Sequence, residues 1–205
     1  MKKLFSIVAL SVCMLSACVT NDSQSNTIST VELSERENAF LTITSDKSFV
    51  FDFDIDDEYK VLSVWVEKYE FGKLVDDKIS SIITPVEKSG SIIFATAKAD
   101  HSRNQQTFNI GISSNDSTRS ISSFDDNAAG VDKMSSVWSD FQEKNMPIEG
   151  EVVLASICYS SNESGMSSLR NDFYKDVDGH MSELEEYDVV YLLKAEFIGE
   201  NGGDS

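Results

Sequence analysis

The sequence predicts a mainly β protein that folds as an antiparallel β-sandwich with one or two short helices inserted. Three observations carry this prediction. Apolar and polar residues alternate with a period of two in successive segments, no long helical segment separates those segments, and the 205-residue chain contains only two prolines. Parallel sheets need a long crossover between consecutive strands, so this arrangement favours antiparallel pairing.

The first predicted strands lie between residues 41 and 85. Leu41–Thr44 predicts an edge strand. The apolar residues at alternating positions from Phe49 to Ile55 are interleaved mostly with aspartates, which predicts a strand with one buried and one acidic face. Tyr59–Phe71 is apolar on both faces and predicts a central strand. The following Gly72–Lys73 predicts a turn into a partner strand that ends at Pro85.

The later strands are predicted from the same alternation and from enrichment in β-branched and aromatic residues. They are Ser91–Ala99, Gln106–Ser113, Thr118–Phe124, Glu151–Ser160 and Tyr187–Ile198. Trp65 on an early central strand makes the sandwich immunoglobulin-like at most, because the chain lacks the paired cysteines that would make that likeness specific.

Two segments depart from the two-residue period. Asp132–Lys144 and its flank place apolar residues at helical spacing, which predicts a short helix; they are Val131, Met134, Val137, Trp138 and Phe141. Asn162–Glu186 is polar, and Met166, Leu169 and Phe173 are spaced for a second short helix.

The N-terminus has the three zones of an export signal. Lys2 and Lys3 give a basic start, Leu4–Met14 is an apolar run too short to cross a bilayer, and Leu15-Ser16-Ala17 precedes Cys18. This segment resembles the bacterial lipoprotein signal, an aliphatic residue and two small residues followed by cysteine, at all four positions. The rest of the chain resembles small uncharacterised bacterial lipoproteins.

The resemblance implies that the Cys18 thiol receives a diacylglyceryl group and that the chain is cleaved between Ala17 and Cys18. The protein is then expected in the bacterial cell envelope, lipid-anchored on the extracytoplasmic side of a membrane. Whether that membrane is the plasma membrane or an outer membrane stays open. The alternative is an ordinary secretory signal with a chance cysteine.

The remaining chain divides into three parts by composition. Residues 18–36 are rich in Ser, Thr, Asn, Asp and Gln, which predicts a flexible tether behind the lipidated cysteine. Residues 37–199 form the predicted β-sandwich domain, and residues 200–205 a disordered tail. Cys158 lies in an apolar run and is predicted to be a small core residue.

The charge of the mature chain restricts its partners. After removal of residues 1–17, 15 basic and 35 acidic residues remain, a formal net charge of −20. Such a field repels nucleic acid, so no nucleic-acid partner is expected. The expected partners are the membrane, through the lipid anchor, and a protein or surface glycan.

Metal binding has one near-match and no complete motif. Counted from Tyr174, residues Asp176, Asp178 and Glu185 occupy the third, fifth and twelfth positions of an EF-hand loop, with Gly179 at the sixth. The first position lacks a carboxylate, so a charged loop is the default interpretation and calcium the alternative. The acidic run from Asp52 to Glu58 fails at its sixth and twelfth positions. No other cofactor is expected.

Catalytic motifs are absent from the sequence. His101 and His180 lie far apart, and no serine has the glycines of a nucleophile elbow around it. The sequence therefore favours a non-catalytic binding or recognition protein, with a glycan-, peptide- or calcium-binding lipoprotein or a cell-wall hydrolase as alternatives. Exposed aromatic residues would provide a binding surface, and core packing is the competing interpretation; the candidates are Tyr69, Phe71, Trp138 and Phe141.

Overall fold

The chain folds as a sandwich of two antiparallel sheets. A computed structural model describes residues 26–98, 105–128, 130–162 and 165–199. The strands in chain order are β1 Thr27–Thr30, β2 Ser48–Asp54, β3 Tyr59–Glu70, β4 Lys73–Pro85, β5 Ser89–Thr96, β6 Gln106–Ser114, β7 Ser117–Asp125, β8 Ser135–Asp140, β9 Met146–Pro147, β10 Glu151–Ser160 and β11 Val189–Gly199. The α-helices are α1 Glu35–Thr44, α2 Asn171–Lys175 and α3 Val177–His180, and two 3-10 helices span Val131–Lys133 and Met181–Glu186.

Every strand pairing is antiparallel. The first sheet has the order β7-β6-β5-β2-β1-β9 and the second has the order β4-β3-β11-β10-β8. The predicted antiparallel sandwich is therefore confirmed. Immunoglobulin domains have seven or nine strands in another order, so the likeness to them ends at the sandwich architecture.

The core lies between the sheets and is built from the inward faces that the alternation predicted. Phe49, Phe51, Phe94 and Phe108 stack along the first sheet with centroid separations of 6.0–6.5 Å. The row continues into the second sheet, where the Tyr191 ring lies 4.9 Å from Phe108. Aromatic burial of this kind removes a large apolar area from water and stabilises the packing of the two sheets.

The strands predicted from strong alternation are confirmed with small shifts of their ends, namely β2, β3, β4, β5, β6, β7, β10 and β11. Gly72 forms the predicted turn, and Pro85 ends β4. Cys158 is fully buried, which confirms its core placement, and burial raises the pKa of its thiol to about 12.

Three predicted segments are wrong. Leu41–Thr44 is not an edge strand but the second half of α1. Asp132–Lys144 is not a helix: only Val131–Lys133 is helical, and β8 follows and pairs with β10. Part of the predicted tether is folded, because β1 pairs with both β2 and β9. The tail 200–205 lies outside the described residues.

The outer face of the second sheet is covered by the segment between β10 and β11. Phe173 of α2 and Leu184 are both fully buried against this face. The Tyr174 hydroxyl lies 2.8 Å from both the Ser139 and the Ser156 hydroxyl oxygens, so it fixes α2 to β8 and β10. A helix does form within Asn162–Glu186, as the sequence predicted.

A buried ion pair joins the two sheets. Lys68 on β3 extends its ammonium group to Asp125 at the end of β7, at a nitrogen–oxygen distance of 2.9 Å. The Tyr191 hydroxyl donates to the same carboxylate oxygen at 2.8 Å, and Glu70 lies 2.9 Å from the ammonium nitrogen. The full set of partners makes this buried charge tolerable in the low-dielectric interior.

Candidate functional site

Both ends of the described chain lie at the same end of the sandwich. The Asn26 side chain donates to the Asp56 carboxylate at 2.9 Å, and Gly199 pairs with Tyr59. Both contacts are made beside the turn at residues 56–58. We call this end of the sandwich the near end. Because the strands run antiparallel, the opposite end of the sandwich carries the segments 35–47, 71–72, 97–98, 126–128 and 130–134. We call this end the far end.

Exposed apolar side chains are concentrated towards the far end. Eight large apolar side chains are exposed among the described residues, and only Ile83 lies in the near half. The other seven belong to α1, to the turn between β3 and β4, to the start of β4, to the end of β7 and to β8; they are Phe40, Ile43, Phe71, Leu74, Val75, Phe124 and Trp138. An apolar surface confined to one end of a molecule marks a candidate interaction surface.

Helix α1 is held by its cap and not by the core. None of its residues is buried. Ser34 and Glu37 form a capping box in which the Ser34 amide donates to the Glu37 carboxylate at 2.9 Å and the Ser34 hydroxyl accepts from the Glu37 amide. The Ser34 hydroxyl and amide both donate to the Glu37 carboxylate, and these two hydrogen bonds lower the pKa of Glu37. A ten-residue helix is only marginally stable by itself. Phe40 and Ile43 are exposed, so burial of their side chains in this chain adds little to the stability of the helix.

Phe71 is both exposed and strained. It occupies the first position of the two-residue turn between β3 and β4, with φ of +49°, followed by Gly72 at φ +75°. Two positive φ values define a type I′ turn, which favours Asn, Asp or Gly at both positions. The turn between β6 and β7 follows that rule with Asn115 and Asp116. A bulky residue in the left-handed region costs free energy, so Phe71 indicates selection for a role outside folding.

A cavity of about 300 Å³ opens at the far end between the two sheets. Lys47 lines it with only 5% of its side chain exposed, and its ammonium nitrogen lies 2.5 Å from the Asp46 carboxylate. The same nitrogen lies 5.1 Å from the Trp138 ring centroid and 5.6 Å from the Tyr159 ring centroid. Cation–π attraction thus holds the Trp138 ring beside the Lys47 ammonium group while about half of the tryptophan stays exposed.

The wall of the far-end cavity carries neutral and charged hydrogen-bonding groups. Gln106 and Tyr159 line it together with Asp46, and the Tyr159 hydroxyl approaches the Gln106 amide oxygen at 3.4 Å. Burial raises the pKa of Tyr159, and the negative charge of Asp46 raises it further. The hydroxyl therefore stays protonated at neutral pH and can donate a hydrogen bond.

A second, larger cavity of about 580 Å³ lies on the outer face of the second sheet, beside α2 and α3. At its floor, the Lys194 ammonium nitrogen lies 2.9 Å from the Glu67 carboxylate and 2.6 Å from the Glu151 carboxylate. Glu67 also accepts from the Tyr69 hydroxyl at 2.6 Å and from the Trp65 indole nitrogen at 3.2 Å. Burial lowers the pKa of Lys194, but the two carboxylates outweigh that effect and raise it overall.

The structure does not assemble the predicted calcium ligands. Asp176 and Asp178 line the second cavity, but Asp176 accepts from the Gly179 amide at 3.0 Å as a helix cap. Glu185 lies instead against the Gly72 turn. Within the described ranges, no three His, Cys, Asp or Glu residues are grouped so that they could hold a metal ion. Calcium binding by Asp176, Asp178 and Glu185 stays a prediction, and the helix-cap role of Asp176 favours the charged-loop interpretation.

The remaining sequence candidates are distributed as follows. Tyr69 and Phe141 are core residues, whereas Phe71 and Trp138 are exposed. His180 lies outside both cavities, and its Nδ1 is 2.9 Å from the Glu183 carboxylate. Ala17, Cys18 and His101 lie outside the described residues. No helix of the described part of the chain has both the length and the hydropathy that a membrane span requires.

A family model for the YgaN domain matches residues 27–197. The chain belongs to the YgaN domain family. No curated protein and no solved structure matches the chain. The YgaN domain begins at β1 and ends within β11, so it contains the strand that composition assigned to the tether.

Two features of this YgaN domain were missed by sequence reasoning. Lys47 was not singled out, because a lone lysine before a strand carries no signal that it will lie between two aromatic rings. The capping box of Ser34 and Glu37 was readable, since Ser-x-x-Glu before an apolar residue is a known helix-start pattern.

Proposed function

We propose that this YgaN-domain protein is a lipid-anchored extracytoplasmic recognition protein that acts without catalysis and binds a protein partner through its far end. The observation that carries the proposal is the one-sided distribution of exposed apolar side chains. Seven of the eight among the described residues lie towards the end opposite the two chain ends. A soluble domain gains nothing from exposing them, whereas a partner that covers them gains burial free energy.

The position of the chain ends supports this orientation. If Cys18 carries lipid, seven residues separate it from Asn26, and even a fully extended chain of that length spans at most about 27 Å. The near end would then stay close to the membrane, and the far end would point away from it.

In-cell photocrosslinking tests the recognition proposal. A photoreactive amino acid is placed at Phe40, Phe71 or Ile83 in the full chain. Phe71 and Ile83 are both 63% exposed, so Ile83 is a matched control at the near half. We expect one reproducible protein adduct from Phe40 and Phe71 and none from Ile83. Equal adducts from all three positions, or none from the far-end positions, would contradict the proposal.

The lipid anchor has its own test. Substitution of Cys18→Ala removes the thiol that the diacylglyceryl group would modify. We expect the variant to lose incorporation of radiolabelled fatty acid completely and to retain the uncleaved N-terminus in mass spectrometry. Unchanged labelling of the variant would overturn the anchor assignment and leave the far-end proposal standing.

A glycan or peptide ligand in the far-end cavity is the second candidate function. The observation that favours it is an exposed Trp138 beside a cavity lined by carboxylate, amide and hydroxyl groups, a combination that suits stacking and hydrogen bonding to a sugar. Thermal unfolding with and without N-acetylglucosamine oligosaccharides tests it. A stabilisation that Trp138→Ala removes would favour this candidate, and no stabilisation would count against it.

A further inference from the structure

Strand β8 is an edge of the second sheet, and no strand of the described residues pairs with its outer side. The two sheet edges formed by β4 and β7 lie beside each other and close one side of the sandwich. On the other side, β9 has only two residues and includes Pro147, whereas β8 has six. Edge strands are normally guarded by lysine, proline or a bulge. The β8 sequence SSVWSD has no lysine or proline, its one charged residue is Asp140, and its register with β10 is regular.

The backbone of β8 has a defined set of groups that point away from β10. The Phe141 amide donates to the Leu154 carbonyl at 3.4 Å, in register with the β8–β10 ladder. Hydrogen-bonded pairs alternate in an antiparallel ladder, so Ser139 and Val137 also bond to β10. The amides and carbonyls of Ser136, Trp138 and Asp140 therefore point outward. Of these groups, the Asp140 carbonyl accepts from the Gln142 side chain at 3.2 Å.

Two side chains on one face of β8 define what would fit beside that edge. Trp138 and Asp140 are two residues apart, so they lie on the same face at a separation of about 7 Å. Trp138 is 52% exposed. Asp140 accepts from the Gln142 amide at 2.7 Å, and no lysine or arginine of the described residues lies within ion-pair distance of it. Burial raises the pKa of the Asp140 carboxyl, and hydrogen bonds from its own amide and from the Gln142 side chain offset part of that effect.

We infer that β8 is a docking edge that accepts an extended segment of a protein partner as a sixth strand of the second sheet, with a basic side chain opposite Asp140. Main-chain hydrogen bonds to Ser136 and Trp138 would supply the affinity, and Trp138 and Asp140 would supply the selectivity. A second copy of this chain fits the edge less well, because the chain carries a net charge of −18 and the two copies would repel each other. The inference rests on the proposed function, since it names the kind of partner.

Hydrogen exchange on the full chain, purified in a nonionic detergent, tests the inference directly. The probe is a short peptide of alternating lysine and threonine. A block peptide of the same composition, with its lysines consecutive, is the control for unspecific attraction. We expect the alternating peptide to slow exchange of the Ser136 and Trp138 amides at least tenfold, and to leave the Val137 and Ser139 amides unchanged. No change at Ser136 and Trp138, or equal slowing by the block peptide, would overturn the inference.

Substitutions at the edge give a second test. Ser136→Pro removes an outward amide without breaking the ladder to β10, whereas Ser136→Ala keeps that amide. In fluorescence polarisation with the labelled alternating peptide, we expect Ser136→Pro to weaken binding about tenfold and Ser136→Ala to change it less than twofold. Asp140→Asn should weaken binding several-fold and reduce its salt dependence. Equal affinity of Ser136→Pro and Ser136→Ala would refute docking at the edge.

Two results separate this inference from the broader proposal. A dimer of the full chain in sedimentation that Ser136→Pro dissociates would show that a second copy occupies the edge, which would overturn the inference of a basic partner. A partner captured from Phe40 and Phe71 that binds Ser136→Pro as well as the unsubstituted protein would overturn the β8 inference while supporting recognition by the far end.

Discussion

At the scale of single residues, each charged side chain that is buried among the described residues has an oppositely charged partner. Lys68 shows this most clearly, because its side chain is 3% exposed and meets Asp125, Glu70 and the Asn127 carbonyl. Glu67 precedes Lys68 in the sequence, so its side chain lies on the opposite face of β3, where it forms an ion pair with Lys194. One strand therefore carries two ion pairs, one on each face of the second sheet.

We predict that Lys68→Met destabilises the protein by about 3–5 kcal/mol, because it leaves the Asp125 carboxylate buried without a counter-charge. The measurement is the free energy of unfolding in urea at neutral pH. The double variant Lys68→Met with Asp125→Asn is the control, since a neutral amide needs no cation and should restore part of the loss. If the single variant is as stable as the parent protein, the ion pair does not hold the sheets together.

At the scale of elements, the turn between β3 and β4 exposes an aromatic side chain at a cost in folding stability. The left-handed backbone of Phe71, with φ of +49°, costs free energy. Its side chain is largely exposed, so burial does not offset that cost. We predict that Phe71→Asn stabilises the protein by about 1 kcal/mol, because asparagine tolerates this backbone region. The measurement is the urea midpoint at unchanged slope.

Phe124 supplies the matched control for that prediction. It is an exposed phenylalanine too, but it lies within β7, where strand geometry favours an aromatic residue. Phe124→Asn should therefore destabilise the protein or leave it unchanged. A loss of stability in Phe71→Asn of the same size as in Phe124→Asn would show that packing, and not backbone strain, determines the effect at the turn.

Strand β1 lies in the segment that composition predicted to be a flexible tether. Its sequence TIST follows a polar segment and has a single apolar residue, yet Ile28 is fully buried and pairs with Phe53 and Met146. We predict that Ile28→Ala costs about 2–5 kcal/mol in the free energy of unfolding. The exposed Glu32, a few residues on, is the control, and Glu32→Ala should change stability by less than about 0.5 kcal/mol. No loss in Ile28→Ala would mean that residues 27–30 behave as tether.

The elements that the sequence predicted are those with strong local signals. In β2, apolar and polar residues alternate, and β3 is apolar on both of its faces. Both patterns favour a strand over a helix. β8 was predicted as a helix because Met134, Val137, Trp138 and Phe141 have helical spacing. In the structure Phe141 is buried and Trp138 is half exposed, so pairing with β10 overrides that local pattern.

At the scale of the whole molecule, the candidate surface could not be predicted because it depends on which residues the fold brings to one end. Lys47 and Trp138 are far apart in sequence, and only the packing of the first sheet against the second places the ammonium group over the ring. The exposed position of Phe40 likewise depends on the way α1 lies on the fold, where the described residues bury none of its side chains. Sequence alone located the aromatic residues and left open which of them face solvent.

The whole molecule should also lose stability in alkaline solution. Burial raises the pKa of five tyrosines in the folded state, and for Tyr187 the pKa rises to about 12; the others are Tyr69, Tyr159, Tyr174 and Tyr191. In the unfolded chain a tyrosine ionises near pH 10. Above about pH 10 the folded state thus holds more protons than the unfolded state, and the free energy of unfolding must fall as the pH rises.

Lys68 and Lys194 act in the same direction. Burial lowers their pKa values, but hydrogen bonds to carboxylates outweigh it, so both are raised in the folded state. Their stabilisation is complete below the unfolded lysine pKa of about 10.4 and is lost as the pH rises through the folded values. The measurement is urea unfolding at several pH values from neutral to about pH 11, with tyrosinate absorbance recorded in parallel.

Tyr187→Phe separates proton linkage from general charge repulsion, which also grows at high pH in so acidic a chain. The substitution removes one linked proton and the hydrogen bond to the Ser167 carbonyl, so it lowers stability at neutral pH. Between about pH 10 and 12, however, its stability should fall less steeply than that of the parent, by up to about 1.4 kcal/mol per pH unit. If the two proteins have parallel pH profiles, Tyr187 ionises equally in the folded and unfolded states, which contradicts its burial. A shallower profile for Tyr187→Phe would show that ionisation of buried tyrosines lowers the stability of the YgaN domain in alkaline solution.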